Sequence, residues 1–422
     1  MAFAVIVFLV ALAVIASERV HRTKTALIGA ALVVVAGAID QEHAIEAVDF
    51  ETLGLLAGMM LVVRLTEPTG VYTYVAIRAG QIARGRPFPL VIALCGTTAV
   101  LSAFLDNLTT VLLMVPITFL LADTLDIPAI PLVIMEIIAS NIGGTATLIG
   151  DPPNILIAGA TGLSFGQFVT NLAPIAFVTL IVVVGLLFLL YRSKLQIDPA
   201  ARTKILDLDA RRSIEDAREL KRTLPVLIAT VLAFFVHTLL GIEPATVALT
   251  GASVMLLVSS ENVEKALEGI EWSTLFFFLG LFVMVGALEE TGAIDEVAQG
   301  IADLTAGNRS AELLGIAWVS AGGSALVDNI PFTAAMIPVV EQLQPEGGGG
   351  GGGDNAYWWS LALGACYGGN ATIIAAAANV AAAGMAERAG QPIGFVQFLR
   401  IGIPVTLISM VMATAYIALR YL

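Results

Sequence analysis

The segment LSAFLDNLTTVLLMVP, residues 101–116, places the ionisable Asp106 and the amide Asn107 in the middle of an apolar run. A charged side chain at the centre of a bilayer costs roughly 2.5–3.5 kcal/mol on insertion scales, so a simple membrane helix rarely carries one. We therefore predict that this segment turns back within the membrane. The predicted re-entrant hairpin covers residues of about 88–121, with Asp106 and Asn107 at its turn.

The composition of the whole chain indicates a membrane protein. Of its 422 residues, 58% are hydrophobic and 13% are charged, whereas soluble domains carry about 25% charged residues. Apolar stretches near or above the length that crosses a bilayer recur along the chain. They predict an all-α polytopic membrane protein with spans near residues 1–16, 25–39, 52–66, 131–158, 166–190, 223–240, 244–259, 271–288, 357–385 and 396–419.

The distribution of lysine and arginine predicts the orientation. These residues concentrate in segments 17–24, 78–86 and 192–222, which are predicted to face the cytoplasm. Acidic loops, among them DQEHAIEAVDFE at residues 40–51, are then extracytoplasmic. We expect a multi-pass protein of the cell inner membrane that retains its first helix and has both termini outside.

An internal repeat relates the two halves of the chain. SAFLDNLTTVLLMVP, which begins at residue 102, aligns with SALVDNIPFTAAMIP, which begins at residue 324, so that Asp106 falls on Asp328. Farther along, IGGTATLIGDPPN (142–154) aligns with YGGNATIIAAAAN (367–379). Each half would contain five spans and one hairpin. Because five is odd, the two halves have inverted topologies, as in many secondary transporters.

The repeat defines the predicted domain boundaries. Repeat 1 covers residues 1–191, a cytoplasmic linker covers 192–222, and repeat 2 covers 223–422. The second hairpin is predicted at about 312–340. A run of glycines within 346–354 is predicted to form a flexible external loop.

Double glycines interrupt one span in each half and predict broken helices at the bilayer midplane. Glycine destabilises a helix interior by about 1 kcal/mol relative to alanine, and non-helical backbone at membrane depth is tolerated only where it is buried in protein or lines a cavity. The free backbone groups and nearby polar side chains predict a substrate or ion site where the halves meet. The candidate site residues are Asp106, Asn107, Thr109, Thr110, Asn141, Gly143, Gly144, Thr145, Asn154, Asp328, Asn329, Thr333, Cys366, Gly368, Gly369, Asn370, Thr372 and Asn379.

Four membrane-embedded carboxylates are candidates for proton coupling: Asp106, Asp328, Asp151 and Glu136. Intramembrane acids mark ion or proton pathways, but structural roles are the alternative. Asp106 and Asp328 could cap the helix that follows each turn, and Asp151 could belong to a helix-breaking Asp-Pro turn. Asp151 and Glu136 occur in repeat 1 alone.

No soluble-enzyme motif is convincing in this chain. GLSFG (162–166) fits the G-x-S-x-G pattern, but it joins two spans and lacks the strand-turn-helix context that this motif requires. The two cysteines, Cys95 and Cys366, are too few for a multi-thiol metal site. We predict a transporter rather than an enzyme, without cofactor, bound metal or nucleic-acid partner, driven by an ion gradient or by a partner protein.

Three segments carry a family resemblance: LSAFLDNLTTVLLMVPIT, NIGGTATLIGDPPNILIAG and GGNATIIAAAANVAAAGMAERAG. They resemble the arsenical pump membrane protein family and its relatives, the D-type sodium/proton antiporters and the pink-eyed dilution melanosomal protein. The wider ion transporter superfamily also contains divalent anion/sodium symporters and citrate transporters. In the symporters, a Ser-Asn-Thr tripeptide at each hairpin tip binds sodium and the substrate carboxylate. By position, that role would fall on Asp106, Asn107 and Thr109 in one half and on Asp328, Asn329 and Thr333 in the other.

Aspartate replaces the symporters' serine at both tips, and the two added negative charges would repel a di- or tricarboxylate. The resemblance therefore implies export of arsenite or antimonite in exchange for protons, since arsenous acid is an uncharged triol near neutral pH. Sodium/proton antiport is the alternative. Transporters of this superfamily usually form homodimers, and the sequence leaves open whether a soluble ATPase docks on the cytoplasmic side.

Overall fold

The computed structural model describes residues 1–17, 19–198, 202, 205, 209–344 and 355–422. All regular secondary structure within these residues is helical. The predicted glycine-rich loop at 346–354 lies outside them. The described part of the chain is thus all-α, as the apolar pattern predicts.

The described residues of repeat 1 form a succession of α-helices, with a short 3-10 turn at Glu67–Thr69 before α5. Their bounds are α1 (Ala2–Ala16), α2 (Arg22–Val35), α3 (Gln41–Glu46), α4 (Phe50–Thr66), α5 (Val71–Ile82), α6 (Pro87–Phe104), α7 (Asn107–Leu125), α8 (Ala129–Gly144), α9 (Pro152–Thr161) and α10 (Phe165–Tyr191).

Repeat 2 follows the same order after a 3-10 turn at Ala210–Ser213. Its helices are α11 (Ala217–Leu240), α12 (Pro244–Val258), α13 (Val263–Glu268), α14 (Trp272–Glu290), α15 (Ala293–Thr305), α16 (Arg309–Leu326), α17 (Asn329–Leu343), α18 (Ala356–Gly368), α19 (Ala377–Arg388) and α20 (Phe395–Tyr421).

The helices of the two repeats correspond one to one. Each of α2 to α7 begins 222 residues before its counterpart among α12 to α17, and α9 begins 225 residues before α19. These are the two offsets found in the sequence alignment. The repeat therefore extends beyond the quoted motifs to the short connecting helices α3 and α13.

Each predicted hairpin is a pair of helices joined by two non-helical residues, the second of which is Asp106 or Asp328. The helix pairs cover 87–125 and 309–343, a few residues more at each end than the sequence indicates. Both arms of the first hairpin are long and apolar enough to cross a membrane by themselves. The hairpin turn is thus bounded by stable helices on both sides.

Two predicted spans are each divided into half-helices. The span at 131–158 consists of α8 and α9, and the span at 357–385 consists of α18 and α19, with a 3-10 turn at Ile373–Ala375 in the second break. The first span of repeat 2 begins at Ala217, inside the predicted linker, because Asp216 caps a polar first turn that precedes the apolar part of α11.

Four helices join the repeats away from the hairpins, and we call them the scaffold. Helix α2 packs on α14, and α4 packs on α12. At equivalent positions, Gly58 and Gly280 allow the backbones to approach. A β-carbon at either glycine would lie 2.7 Å from a carbonyl carbon of the opposite helix, that of Ala248 or Ala26. Such small residues are typical of helix contacts in membranes.

The hairpins and broken helices form a second unit, α6–α9 and α16–α19, which we call the core. Within each repeat the first hairpin arm packs on the first half-helix, α6 on α8 and α16 on α18. Across the repeats, α7 packs on α19 and α17 packs on α9. Each hairpin therefore contacts the broken helices of both repeats, which brings both turns and both breaks together.

We expect Gly58→Ala to destabilise the protein by about 1–3 kcal/mol, because the added carbon would collide with the α12 backbone. Gly96→Ala in α6 is the matched control, since a β-carbon there meets no atom within 4 Å. Thermal unfolding in detergent, followed by size-exclusion chromatography, measures both variants. Equal stability of the two would contradict the close scaffold contact.

Candidate functional site

The two helix breaks are closed by equivalent asparagines. Asn154 donates from Nδ2 to the carbonyl oxygens of Thr145 at 3.1 Å and Thr147 at 2.7 Å. Asn379 donates in the same way to the carbonyl oxygens of Gly369 at 2.7 Å and Thr372 at 2.9 Å. Backbone groups that leave a helix at membrane depth need such internal partners, because the hydrocarbon offers none. These asparagines therefore stabilise the non-helical backbone on which the site is built.

At the first hairpin turn, Asp106 caps α7 and Asn107 reaches into the core. The Asp106 carboxylate accepts hydrogen bonds from the Thr109 backbone N–H at 2.8 Å and from the Thr109 hydroxyl. The Asn107 amide donates to Asn141 Oδ1 and to Asp151 Oδ1, each at 3.3 Å. The structural role of Asp106 as a cap is thus present, and the asparagine beside it makes the contact with the break.

At the second hairpin turn the same division of roles recurs. Asp328 Oδ1 accepts from the Ile330 backbone N–H at 3.0 Å, and Asp328 Oδ2 lies 3.3 Å from Arg22 Nη1. Asn329 donates from Nδ2 to Asp151 Oδ1 at 2.9 Å. Both hairpin turns therefore place an asparagine on the same carboxylate oxygen of Asp151.

Asp151 is the point where these elements converge. Its side chain is fully buried in the first helix break, directly before α9. Oδ1 accepts both asparagine amides, whereas Oδ2 has no hydrogen-bond partner within the described residues. The Asp106 and Asp328 carboxylates interact with it electrostatically. A buried carboxylate with one free oxygen can hold a proton or coordinate a cation there.

Asn141 connects the two breaks. Its amide nitrogen donates to Asn370 Oδ1 at 3.1 Å and to Asn379 Oδ1 at 2.9 Å, both of which belong to repeat 2. The Cys366 thiol lies on the other side, 3.7 Å from Asn154 Oδ1, and it also interacts with Asp151. Amides, a carboxylate and a thiol therefore lie together where the two repeats meet, and their role as a binding site stays a prediction.

The remaining predicted site residues lie around this centre. The hydroxyls of Thr145, Thr333 and Thr372 donate to backbone carbonyl oxygens at 2.8, 2.6 and 2.9 Å. The Thr110 hydroxyl is buried without a hydrogen-bond partner in the described structure. These threonines stabilise the turns and breaks in the present conformation, and their role in binding stays a prediction.

The four glycines of the breaks act through packing. A β-carbon at Gly143 would lie 2.4 Å from the Ala99 backbone of α6, and one at Gly368 would lie 2.5 Å from the Ala321 carbonyl oxygen of α16. A β-carbon at Gly144 would lie 2.5 Å from the Gly150 carbonyl oxygen in the break, and one at Gly369 would lie 3.2 Å from the Cys366 carbonyl oxygen in the last turn of α18. The double glycines thus bring each hairpin arm against its broken helix.

Glu136 lies apart from the Asp151 centre, in the middle of α8. Its Oε1 accepts from the Thr118 hydroxyl at 2.7 Å, and its Oε2 has no partner among the described residues. Leu361 occupies the corresponding position in repeat 2. The structure therefore does not join Glu136 to the other three candidate carboxylates through hydrogen bonds between side chains, and its proposed part in proton movement stays a prediction.

Arg22 also lies in this region, although it is not among the predicted site residues. Its charge entered only the prediction of how the chain is oriented in the membrane. It pairs with Asp328 beside a cavity of about 360 Å³. Leu108 of one hairpin and Ala377 of α19 also line this cavity. A basic residue at the first position of a membrane helix is the one signal that could have drawn attention to it.

Two inverted repeats with meeting hairpin turns, broken helices and a buried polar centre are features found in membrane transporters. Residues 12–364 match the model of the citrate transporter family. The chain therefore belongs to the citrate transporter family, within the ion transporter superfamily that the sequence resembled.

Individual relatives agree with this assignment. An uncharacterised transporter of Mycobacterium tuberculosis is 42% identical over 99% of this chain and 98% of its own length. The mouse P protein is 34% identical over 96% of this chain and 58% of its own length, which confirms the predicted resemblance to the pink-eyed dilution protein. Since its relatives are named transporters, this chain is a transporter and not an enzyme.

A solved structure shows the same fold. The YdaH transporter of Alcanivorax borkumensis superposes with a TM-score of 0.61 at 17% identity, over 89% of this chain and 86% of that chain. The predicted fold class, an all-α polytopic membrane protein of inverted repeats with hairpins and interrupted helices, is confirmed.

We expect Asn141→Ala to destabilise the protein by about 1–3 kcal/mol for each buried amide oxygen that loses its donor. Asn370 and Asn379 would both be affected. Ser253→Ala on the exposed face of α12 serves as the control. The midpoints of thermal unfolding are compared in the same detergent. A midpoint for Asn141→Ala equal to that of the control would show that this connection between the breaks contributes nothing to stability.

Proposed function

We propose that the protein exports trivalent arsenic or antimony from the cytoplasm in exchange for protons. The observation that carries the proposal is Asp151, a fully buried carboxylate that accepts both hairpin asparagines on Oδ1, has no amide donor on Oδ2 and interacts with the Cys366 thiol. Alternate occupancy of this carboxylate by a proton and of its surroundings by cargo would couple the two movements.

The chemistry of the surrounding groups supports a neutral, hydroxylated cargo. Amide groups of Asn107, Asn141, Asn329 and Asn370 offer both donors and acceptors, as an uncharged triol requires. The Cys366 thiol adds a soft ligand at the same centre. The carboxylates near this centre would repel a polycarboxylate. We therefore do not propose citrate as the substrate of this chain, although the family is named after it.

Sodium/proton antiport is the second candidate. The free Oδ2 of Asp151, within electrostatic range of Asp106 and Asp328, would attract a small cation as well as a proton. Sodium and protons would then compete for one oxygen. Sodium binding needs no soft ligand. Sodium/proton antiport therefore does not use the Cys366 thiol, whereas arsenic export includes a contact with it.

The same proposal includes an orientation. The lysines and arginines of 192–222 support a cytoplasmic linker, with both termini outside the inner membrane. The described end of the linker lies on repeat 1, where the Glu215 N–H donates to the Thr69 carbonyl oxygen at 3.2 Å. The proposal also includes two partners: a second copy of the chain in a homodimer, and a soluble ATPase docked on the cytoplasmic side.

Transport in everted membrane vesicles with an acidic interior separates the two candidates. We expect arsenite and antimonite to accumulate inside and to dissipate the proton gradient. Sodium and lithium are measured in parallel, with vesicles lacking the protein as background. If sodium or lithium dissipates the gradient while arsenite is neither accumulated nor able to compete, the protein is a sodium/proton antiporter and the proposed arsenic export is wrong.

We expect Asp151→Asn to reduce proton-driven transport to the background of empty vesicles while the protein stays folded. Asparagine can still accept both hairpin amides through its oxygen, but it cannot bind and release a proton. Asp123→Asn, an exposed carboxylate on α7, is the matched control. Initial rates and expression levels are measured for both. Wild-type rates in Asp151→Asn would exclude Asp151 as the coupling residue.

We expect Cys366→Ser to weaken arsenite transport only modestly, because a single thiol cannot supply the three sulfur ligands that trivalent arsenic favours. Serine keeps a donor toward Asn154. Cys95→Ser is the control, since Cys95 is buried within the arm of the first hairpin. Complete loss of transport in Cys366→Ser alone would show that the thiol is an essential ligand.

A further inference from the structure

Arg22 brings a fixed positive charge from the scaffold to the tip of the second hairpin. It is the first residue of α2. Its guanidinium lies 3.3 Å from Asp328 Oδ2 and 3.5 Å from the Thr274 hydroxyl, and it stacks over the Phe277 ring at 5.2 Å from the centroid. Thr274 and Phe277 belong to α14. The guanidinium therefore bridges the scaffold and the core.

The surroundings of this guanidinium are acidic. The Asp328 side chain is 9% exposed and that of Arg22 is 23% exposed. Glu271, directly before α14, interacts electrostatically with both Arg22 and Asp106. His21 lines the adjacent cavity with Arg22 and Asp328. Arg22 thus neutralises negative charge beside a cavity that can admit a small ion.

Among the described residues, this arrangement is found at the second hairpin and not at the first. Asp106 holds the place of Asp328 in repeat 1, and its carboxylate accepts from the backbone and hydroxyl of Thr109 in its own helix. In the repeat register, Pro244 holds the place of Arg22 in repeat 2. The symmetry of the fold does not require an arginine at the hairpin tip, so its presence needs another reason.

We propose that Arg22 is a tethered cation that competes with a transported monovalent cation, a proton or sodium, for the Asp328 carboxylate. In the present conformation the guanidinium fills the position beside Oδ2. A mobile cation can bind there only after Arg22 has moved away, so Arg22 sets which cations occupy this hairpin tip. The inference rests on the proposed cation-coupled transport, but it concerns a different carboxylate from Asp151.

Arg22 and Asp328 carry opposite charges at hydrogen-bond distance, so a second cation can compete with the guanidinium for the carboxylate. A guanidinium-carboxylate contact is a charge-assisted hydrogen bond, and protonation of the carboxylate removes the charge that holds it. Sodium at the same oxygen would replace the guanidinium by direct electrostatic competition. In either case Arg22 is released and its guanidinium becomes available to solvent through the cavity.

The test measures the chemical reactivity of Arg22 in the full-length wild-type protein. The protein is reconstituted in liposomes and treated with phenylglyoxal, which modifies accessible arginines. Labelling of the peptide with Arg22 is expressed relative to that with Arg19, an exposed arginine of the same loop. Sodium, lithium and choline chlorides are compared at equal ionic strength at pH 8.

We expect sodium or lithium to raise the relative labelling of Arg22 by about tenfold, equivalent to about 1.4 kcal/mol of competition. Choline at pH 8 should leave labelling low. Asp328→Asn should give high labelling under every condition. If neither sodium nor lithium changes the labelling of the wild type, the proposal is overturned and the contact of Arg22 with Asp328 is a permanent structural ion pair.

The readout is independent of the cargo. If Arg22 responds to cations but arsenite and antimonite are not transported, the proposed arsenic export fails and the role of Arg22 stands. If arsenite is transported while the labelling of Arg22 never changes, the proposed role of Arg22 fails and arsenic export stands. Low labelling of Arg22 in Asp328→Asn would also reject the proposal, because it would show that Asp328 does not hold the guanidinium.

Discussion

The rest of the core depends on the contact of two hairpin asparagines with the Asp151 carboxylate. Asn107 and Asn329 come from opposite repeats, and both donate to Oδ1. The three segments that meet there, two turns and one helix break, all contain non-helical backbone, which hydrocarbon does not tolerate at membrane depth. Each segment supplies part of the polar environment of the others. None of them could keep its conformation at that depth alone.

The inverted repeat builds the site, but its chemistry comes from positions where the repeats differ. The equivalent asparagines that close the breaks, and the glycines that allow close packing, occur in both halves. Asp151 is matched by Ala376, Arg22 by Pro244 and Glu136 by Leu361. A fully symmetric core would offer two equal sites on opposite faces. These replacements give the Asp151 centre a carboxylate that repeat 2 lacks, and they pair the second hairpin turn, but not the first, with an arginine of the scaffold.

Much of the architecture was predictable because its signals are local. A charged pair within an apolar run and a double glycine within a span each disturb a membrane helix at a definite residue. The repeated offset then linked the two hairpins and the two breaks. Hydropathy failed at the start of α11, because its first turn is polar and capped by Asp216 rather than apolar.

The choice of partners within the site was not predictable, because it depends on how distant helices pack. The sequence gives no indication that Asn107 and Asn329 bind the same oxygen, although it did offer helix capping as an alternative role for Asp106 and Asp328. Arg22 stands in a loop whose basic residues fit the orientation rule, so its charge had a sufficient explanation without the Asp328 contact.

Asp151 contacts Asn329, and Asp328 contacts Arg22. These two aspartates differ in how they can take up a proton. Asp151 receives both amides on Oδ1, and a carbonyl oxygen can accept them whether or not Oδ2 is protonated. Protonation at Oδ2 therefore leaves the hairpin contacts intact. Asp328 has one oxygen on the Ile330 N–H and the other on Arg22, so protonation must disturb an existing bond. Asp151 is thus suited to exchange without rearrangement, and Asp328 to exchange that is linked to movement of the hairpin relative to the scaffold.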